Sequence, residues 1–321
     1  MPIKIIVAAD FKGMSLIAEE IVRKDIIDNL SRDDRYVLGL ATGSTPTGMY
    51  RLLADSANSG AFDCSRIRTF NLDEYVGLPG HDAQQRVMHP ESYAHFMTKH
   101  LFGLLDTTFA RSYLPAGHMI DQRVLIRELK DNPEDWRERG TDSGRSISIR
   151  SEASSEYLRW VRSDILDGYA RRIVKYGGID LQVIGVGEKG HVAFHEAGIP
   201  FANSEMLLVR LDENTVANAV KDGHFPSIDQ SPRYAVSMGV DLVFRARKVL
   251  VLASGPRKVN AVARSLLAEA TPETPLSYVQ IFAAGGGDLV YVLDRVAAKG
   301  LLEHAGEMRA RGIDIEDSSD G

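Results

Sequence analysis

The chain has 321 residues, 44% of them hydrophobic and 26% charged, and a formal net charge of −6. This profile excludes a mostly disordered chain, and the negative net charge disfavours a nucleic-acid partner. The single cysteine, Cys64, excludes an internal disulfide and a thiolate metal cluster, and it favours a reducing, cytoplasmic setting.

Short apolar runs alternate with amphipathic segments along the chain. The start, 1–9, is typical of a strand, and apolar residues at positions 17, 21, 22 and 26 predict a helix after it. Further strands are predicted over 36–41, 67–71, 181–186, 248–253 and 289–293. Such continuous apolar strands favour an α/β fold with a mainly parallel sheet and helices on both faces. No stretch approaches the roughly 20 apolar residues that span a bilayer, so we expect no membrane partner.

We expect one α/β domain over 1–312 with a polar insertion near 119–155. Within the insertion, 131–152 is charged and rich in glycine and serine, which favours a solvated loop. The alternative is a lid or an oligomer contact anchored by Trp136. The acidic end, 313–321, is expected to be a frayed tail.

The segment Thr42-Gly43-Ser44-Thr45-Pro46 lies between a predicted strand and a predicted helix. Proline is tolerated at a helix start, and free N–H groups there can bind an anion such as phosphate. Simple capping by Ser44 or Thr45 explains the pattern equally well.

Asp73 and Glu74 follow the predicted strand 67–71, at the edge where open α/β sheets bind ligands. Neighbouring residues on an extended segment point in opposite directions, so one carboxylate can enter a cleft while the other faces away. A pair of surface acids is the alternative.

The segment 185–190 matches the G-x-G-x-x-G dinucleotide fingerprint, but the residues after it show no helical pattern. Its glycines, including Gly187, therefore favour a loop that passes close to a substrate. His191 can transfer a proton near neutral pH, and Glu196 can fix its tautomer. A metal site formed with His195 is an alternative, although its ligand spacing is absent.

Lys258 lies in a loop between the predicted strand 248–253 and a helix. A cation at a helix start is unfavourable unless it serves an anion, so this loop supports a phosphate site. Solvated basic side chains are the alternative.

Together these segments resemble the glucosamine-6-phosphate deaminase/isomerase family. The matches are LGLATGSTPTGMY, TFNLDEYVGLP, HPESYAHFM, GVGEKGHVAFHE, RYAVSMGVDLV and the Lys258 loop, and they cover most of the chain outside 119–155 and the acidic tail. The resemblance implies a three-layer Rossmann-like fold, a hexosamine 6-phosphate substrate, and a mechanism without a metal or another cofactor.

The resemblance also implies a role for each matching residue. Asp73 matches the base that moves a proton between C2 and C1 of the open sugar. His191 matches the histidine that opens the sugar ring, and Glu196 the carboxylate that orients it. Ser44 and Lys258 match phosphate ligands, and the neighbouring Thr42, Gly43, Thr45 and Gly187 belong to the same expected site.

The sequence departs from the family pattern at several positions. Lys189 stands where the family has Asp or Asn, and a cation there would disfavour protonated His191. His195 replaces an asparagine, and the phosphate-binding arginine is missing from the segment 215–218. Arg210 is a candidate substitute, since arginine binds phosphate in a bidentate manner that lysine cannot copy.

We therefore expect a deaminating isomerase of a hexosamine 6-phosphate. An isomerase of another sugar phosphate without deamination and a non-catalytic sugar-phosphate sensor are the alternatives. We also expect a cytoplasmic homo-oligomer.

Overall fold

The computed structural model describes residues 3–211, 213–221 and 223–318. The strands within these ranges are β1 (Ile3–Ala8), β2 (Tyr36–Leu40), β3 (Ile67–Asn71), β4 (Asp73–Val76), β5 (Arg111–Tyr113), β6 (Trp136–Thr141), β7 (Gly144–Ile149), β8 (Leu181–Gly185), β9 (Met206–Arg210), β10 (Tyr234–Met238), β11 (Lys248–Ala253), β12 (Asp288–Asp294) and β13 (Asp314–Asp317). The helices are α1 (Phe11–Leu30), α2 (Thr47–Asn58), α3 (Ala83–Val87), α4 (Tyr93–His100), α5 (Gln122–Asp131), α6 (Glu156–Trp160), α7 (Asp167–Lys175), α8 (Glu213–Lys221), α9 (Val240–Val243), α10 (Val259–Leu267), α11 (Val279–Ala284), α12 (Arg295–Leu302) and α13 (Ala305–Ala310).

The main sheet has eight parallel strands in the order β13-β1-β12-β11-β8-β2-β3-β5. Its interior strands are apolar because both faces are covered. Helices α1, α2 and α4 pack on one face, and α7, α10, α11 and α12 pack on the other. The prediction of an α/β fold with helices on both faces is confirmed, and the arrangement is three-layered and Rossmann-like. None of the helices in the described ranges is long and apolar enough to cross a bilayer.

A second, antiparallel sheet has the strand order β4-β10-β9-β7-β6. Its residues alternate between two apolar clusters: Leu208 and Val236 pack with α5 and α6, whereas Val209 and Ala235 pack with Phe194. Strand β4 belongs to this sheet although it begins two residues after β3, so it joins the two sheets.

The polar segment 131–152 is not a loop, and that expectation is wrong. It forms the hairpin β6–β7, which adds two strands to the edge of the second sheet. Its charged composition follows from this position, because edge strands are protected by charge against pairing with other chains. The Trp136 ring nitrogen donates a hydrogen bond to the Leu129 carbonyl at 2.7 Å, which fastens the hairpin to α5.

The acidic end is also ordered over part of its length. Strand β13 pairs in parallel with β1, and Lys4 forms an ion pair with Glu316 at 2.8 Å. The expectation of a frayed tail is therefore wrong for residues 314–317. Residues 319–321 lie outside the described ranges.

Candidate active site

A cavity of about 580 Å³ opens at the carboxyl ends of the central strands of the main sheet. The loops after β2, β8 and β11 and the start of β4 line it, at the edge where parallel sheets bind ligands. The cavity brings together nine of the residues predicted from the sequence, namely Thr42, Gly43, Ser44, Thr45, Asp73, Gly187, His191, Glu196 and Lys258.

Asp73 is 5% exposed and stands at the first position of β4, facing the cavity. One carboxylate oxygen, Oδ1, is buried without a hydrogen-bond partner. Burial, followed by the negative charge of Glu74, raises the pKa of Asp73 to about 8, against the opposing effects of His191 and Thr42. The group is thus poised to exchange a proton near neutral pH.

Glu74 faces away from the cavity, as the alternation of an extended segment predicts. Its carboxylate accepts hydrogen bonds from the backbone N–H groups of Tyr75 (2.9 Å), Tyr93 (3.1 Å) and Ala94 (3.2 Å). Burial raises its pKa to about 7, although these three donors act in the opposite direction. Glu74 therefore joins β4 to the start of α4.

His191 lies in the loop after β8, with its Nδ1 atom 3.2 Å from Glu196 Oε2. A methyl group on Gly187 would lie 2.0 Å from His191 Nε2, so only glycine lets the ring pack at this place. Burial acts to lower the pKa of His191, but the Glu196 carboxylate outweighs it and the pKa is raised. Lys258 lowers this pKa and Asp73 raises it, which places all four groups in one electrostatic unit.

The loop after β2 provides a polar wall of the cavity. Gly43 has a φ of 92°, a left-handed conformation that favours glycine. The Tyr50 hydroxyl donates to the Ala41 carbonyl at 2.6 Å and accepts from its N–H, which fixes the start of the loop. Ser44 and Thr45 therefore face the cavity from a constrained turn just before α2.

Lys258 enters the cavity from the loop after β11, and it is the only lysine or arginine among the lining residues that the structure describes. Burial is the main cause that lowers its pKa. The Asp294 carboxylate fixes this loop by accepting from the Ser254 hydroxyl at 2.5 Å and the Gly255 N–H at 2.9 Å. Lys258 and Ser44 thus line one cavity from loops that follow two strands on either side of β8.

Three candidate residues lie outside the cavity. Lys189 is exposed, and Lys258 rather than Lys189 is the cation that acts on the pKa of His191.

His195 is fully buried, with Nδ1 accepting from the Val240 N–H and Nε2 donating to the Ile199 carbonyl, so both ring nitrogens are already used. Arg210 pairs with Glu138 of the hairpin at 2.7 Å. The side chains at 215 and 218 lie outside the described part of the chain.

An aromatic wall of the cavity was not predicted from the sequence. Tyr75, Tyr93 and Phe194 line it, with ring centroids 5.1 to 6.0 Å apart. A second missed feature is the contact between His224 Nδ1 and Glu91 Oε2 at 2.8 Å, which joins two further lining residues. Tyr75 lies two residues after Asp73 on β4, so the alternation of the strand places both on the cavity face. Tyr93, Phe194, His224 and Glu91 reach the cavity through tertiary packing, for which no local pattern gives a signal.

Comparison with known proteins gives consistent matches. The chain is 32% identical over 297 residues to a glucosamine-6-phosphate deaminase of Clostridium perfringens, covering 92% of this chain and 98% of the relative. It is 31% identical over 296 residues to the deaminase of Clostridium acetobutylicum, covering 92% and 99%. No family model matches the chain.

Solved structures agree with the fold. A monomeric glucosamine-6-phosphate deaminase superposes with a TM-score of 0.69 at 27% identity, covering 93% of this chain and all of that chain. A 6-phosphogluconolactonase from Thermotoga maritima has the same fold, with a TM-score of 0.57 at 16% identity and coverage of 92% and 100%.

The fold is a Rossmann-like one that occurs in both kinds of enzyme. Because the identity to the clostridial deaminase extends over nearly its whole length, this chain belongs to the glucosamine-6-phosphate deaminase family.

Proposed function

We propose that this protein converts glucosamine 6-phosphate and water into fructose 6-phosphate and ammonia. The observation that carries the proposal is the meeting of Asp73, the His191–Glu196 pair and Lys258 on one cavity. The names of the clostridial relatives and of the solved deaminase support the same reaction.

The phosphate group binds at the end of the cavity formed by Ser44, Thr45 and Lys258. Lys258 supplies a positive charge, and the polar turn before α2 supplies hydroxyl donors. Anchoring the phosphate there fixes the sugar relative to Asp73 and His191, which turns proton transfer into a reaction between positioned groups.

His191 opens the sugar ring. The imidazole takes the proton from the anomeric hydroxyl and delivers a proton to the ring oxygen, and the bond between C1 and the ring oxygen breaks to give the open aldehyde. Glu196 at Nδ1 stabilises the protonated ring and leaves the other nitrogen for this exchange.

Asp73 then transfers a proton from C2 to C1. Its carboxylate removes the C2 proton while the aldehyde oxygen O1 takes a proton from solvent, giving an enolamine. The carboxyl group then returns a proton to C1, which leaves a C1 hydroxyl and a protonated imine at C2 whose extra proton is released when water adds. Water adds to C2, the carbon–nitrogen bond breaks, and ammonia leaves with the ketone formed. The raised pKa of Asp73, about 8, increases its strength as a base once it is ionised.

The test incubates the purified chain with glucosamine 6-phosphate and measures ammonia and fructose 6-phosphate in parallel. Both should appear in equal amounts. Asp73→Asn keeps the side-chain shape but removes the base, so kcat should fall at least about 100-fold, the lower range for a lost general base.

Other outcomes identify the alternatives. Ketose formation without ammonia would indicate an isomerase, and binding without either product would indicate a sensor. Near-normal turnover by Asp73→Asn would contradict the assignment of the base.

We further propose a cytoplasmic location, supported by the free and buried thiol of Cys64. The homo-oligomer expected from the sequence stays a prediction, and one solved deaminase of this fold is described as monomeric. Light scattering on the full chain measures the oligomeric state directly.

A further inference from the structure

The turn of the β6–β7 hairpin, residues 141–144, packs directly on the loop that carries Glu196. A methyl group on Gly144 would lie 2.5 Å from the Glu196 Cβ and 2.6 Å from the Ala197 carbonyl oxygen. In the opposite direction, a methyl group on Gly198 would lie 2.0 Å from Thr141 Oγ1. The two segments therefore touch with no space for a single added carbon.

Strand β6 fastens the hairpin to its surroundings next to this contact. The Arg139 guanidinium donates hydrogen bonds to the carbonyl oxygens of Ala202 (2.5 Å) and Asn203 (2.9 Å). Glu138, on the same strand, pairs with Arg210 of β9 at 2.7 Å. Because the hairpin cannot easily move away, any added bulk at residue 144 must displace the Glu196 segment instead.

Displacement of Glu196 has a direct consequence for His191. The charged groups that face the imidazole are Glu196 from its own loop, Lys258 from the loop after β11, and Asp73 from β4. Among them, Glu196 contacts Nδ1 at 3.2 Å and is the largest of the influences that raise the pKa of His191. A shift of its Cβ would lengthen this 3.2 Å contact.

We propose that the hairpin positions Glu196, and that Gly144 is a positioning residue for the protonation of His191. For its effect on catalysis, this inference rests on the proposed function. It gives the segment 119–155 a task in the chemistry, although the segment contributes no lining residue of the cavity.

Gly144→Ala tests the proposal cleanly because Gly144 does not have a positive φ, so alanine meets only the steric contact. The readout is the imidazole titration of His191 by NMR, assigned by loss of the signal in His191→Gln. Its pKa should fall by about one unit, the lower end of the effect of a neighbouring opposite charge. The kcat for ammonia release should fall at least about 10-fold.

Two controls separate positioning from stability. Arg145→Ala removes the ion pairs of Arg145 with Glu138 and Asp142 within the hairpin but adds no bulk at the contact. Gly306→Ala adds a methyl group where no atom lies within 4 Å. Both should leave the His191 titration unchanged.

An unchanged His191 pKa in folded Gly144→Ala would overturn the proposal, and so would an equal shift in Arg145→Ala. If Gly144→Ala fails to fold, Arg139→Ala releases the hairpin from Ala202 and Asn203, and an unchanged titration there overturns the proposal. If the wild-type protein releases no ammonia, the proposed function fails, but the titration still decides the role of the hairpin.

Discussion

In the proposed phosphate site, Lys258 carries the positive charge without help from any other lysine or arginine among the described lining residues. A lysine is a point charge on a flexible stem, whereas an arginine binds phosphate through two parallel hydrogen bonds. The neighbouring turn of Ser44 and Thr45 compensates by presenting donors from a second direction. Binding should therefore depend strongly on this one residue.

We expect Lys258→Ala to raise KM for glucosamine 6-phosphate about 10- to 100-fold, the equivalent of one lost charged hydrogen bond. Activity toward unphosphorylated glucosamine should barely change. The matched control is Arg257→Ala, since Arg257 is 78% exposed and pairs with Glu188 outside the cavity. Equal effects of Lys258→Ala on both substrates would reject the phosphate role.

At the level of single residues, the sequence predicted which candidate residues line the cavity where the main chain fixes their position. Asp73, Ser44 and Lys258 each follow a strand of a parallel sheet, and the carboxyl ends of such strands meet at one edge. His195 and Arg210 were misplaced because their surroundings are set by tertiary contacts with Ile199, Val240 and Glu138. No local pattern encodes those contacts.

At the level of elements, strand β4 holds Asp73 and Glu74 on opposite faces while keeping their charges close. Glu74 is fully buried, and its negative charge is one cause of the raised pKa of Asp73. Glu74 thus raises the basicity of Asp73 although Glu74 itself lies outside the cavity.

A pH profile tests this coupling. Since the base must be ionised, kcat/KM of the wild-type enzyme should fall as the pH drops below about 8. Glu74→Gln removes a neighbouring negative charge, which lowers the pKa of Asp73, so the fall should begin at a lower pH. Ionisation of the substrate is common to both enzymes and cancels in the comparison. If the acidic limb of the kcat/KM profile of Glu74→Gln stays in place or moves to higher pH, the electrostatic coupling of Glu74 to Asp73 is contradicted.

Edge strands mark the limit of prediction for elements. The predicted strands 67–71 and 248–253 match β3 and β11 residue for residue, because both lie inside the sheet and are buried over almost their whole length. The hairpin β6–β7 and the edge strand β13 were read as loop and tail, because charged edges carry the composition of solvated segments. Their pairing depends on partners far away in the chain.

At the level of the whole molecule, the edge of the main sheet opposite the cavity is held by an ion network. Asp25 of α1 is 7% exposed and accepts a hydrogen bond from the Tyr36 hydroxyl at 2.6 Å. It also pairs with Arg247 at 2.7 Å and with Lys248 at 3.0 Å. One carboxylate thereby joins α1 to the first residues of β2 and β11, the strands whose other ends lead into the cavity loops.

Removal of this carboxylate should destabilise the fold without altering the chemistry. Asp25→Ala removes the acceptor of the Tyr36 hydroxyl and one of two carboxylate partners of Lys248, which keeps Asp288 at 3.2 Å. We expect a loss of about 2–3 kcal/mol in the free energy of unfolding. This is less than the roughly 3–5 kcal/mol of a fully buried broken pair, because Arg247 is 46% exposed. Urea unfolding measures the loss, with Asp28→Ala as the control, since Asp28 is an exposed acid on the same helix.

The kcat of the folded Asp25→Ala fraction should stay within about two-fold of the wild type, because the network and the cavity occupy opposite ends of the same strands. If Asp25→Ala loses activity but unfolds at the same urea concentration as the wild type, the network acts on the cavity through the strands. Equal stabilities of Asp25→Ala and Asp28→Ala would show that Asp25 does not hold this edge of the sheet together.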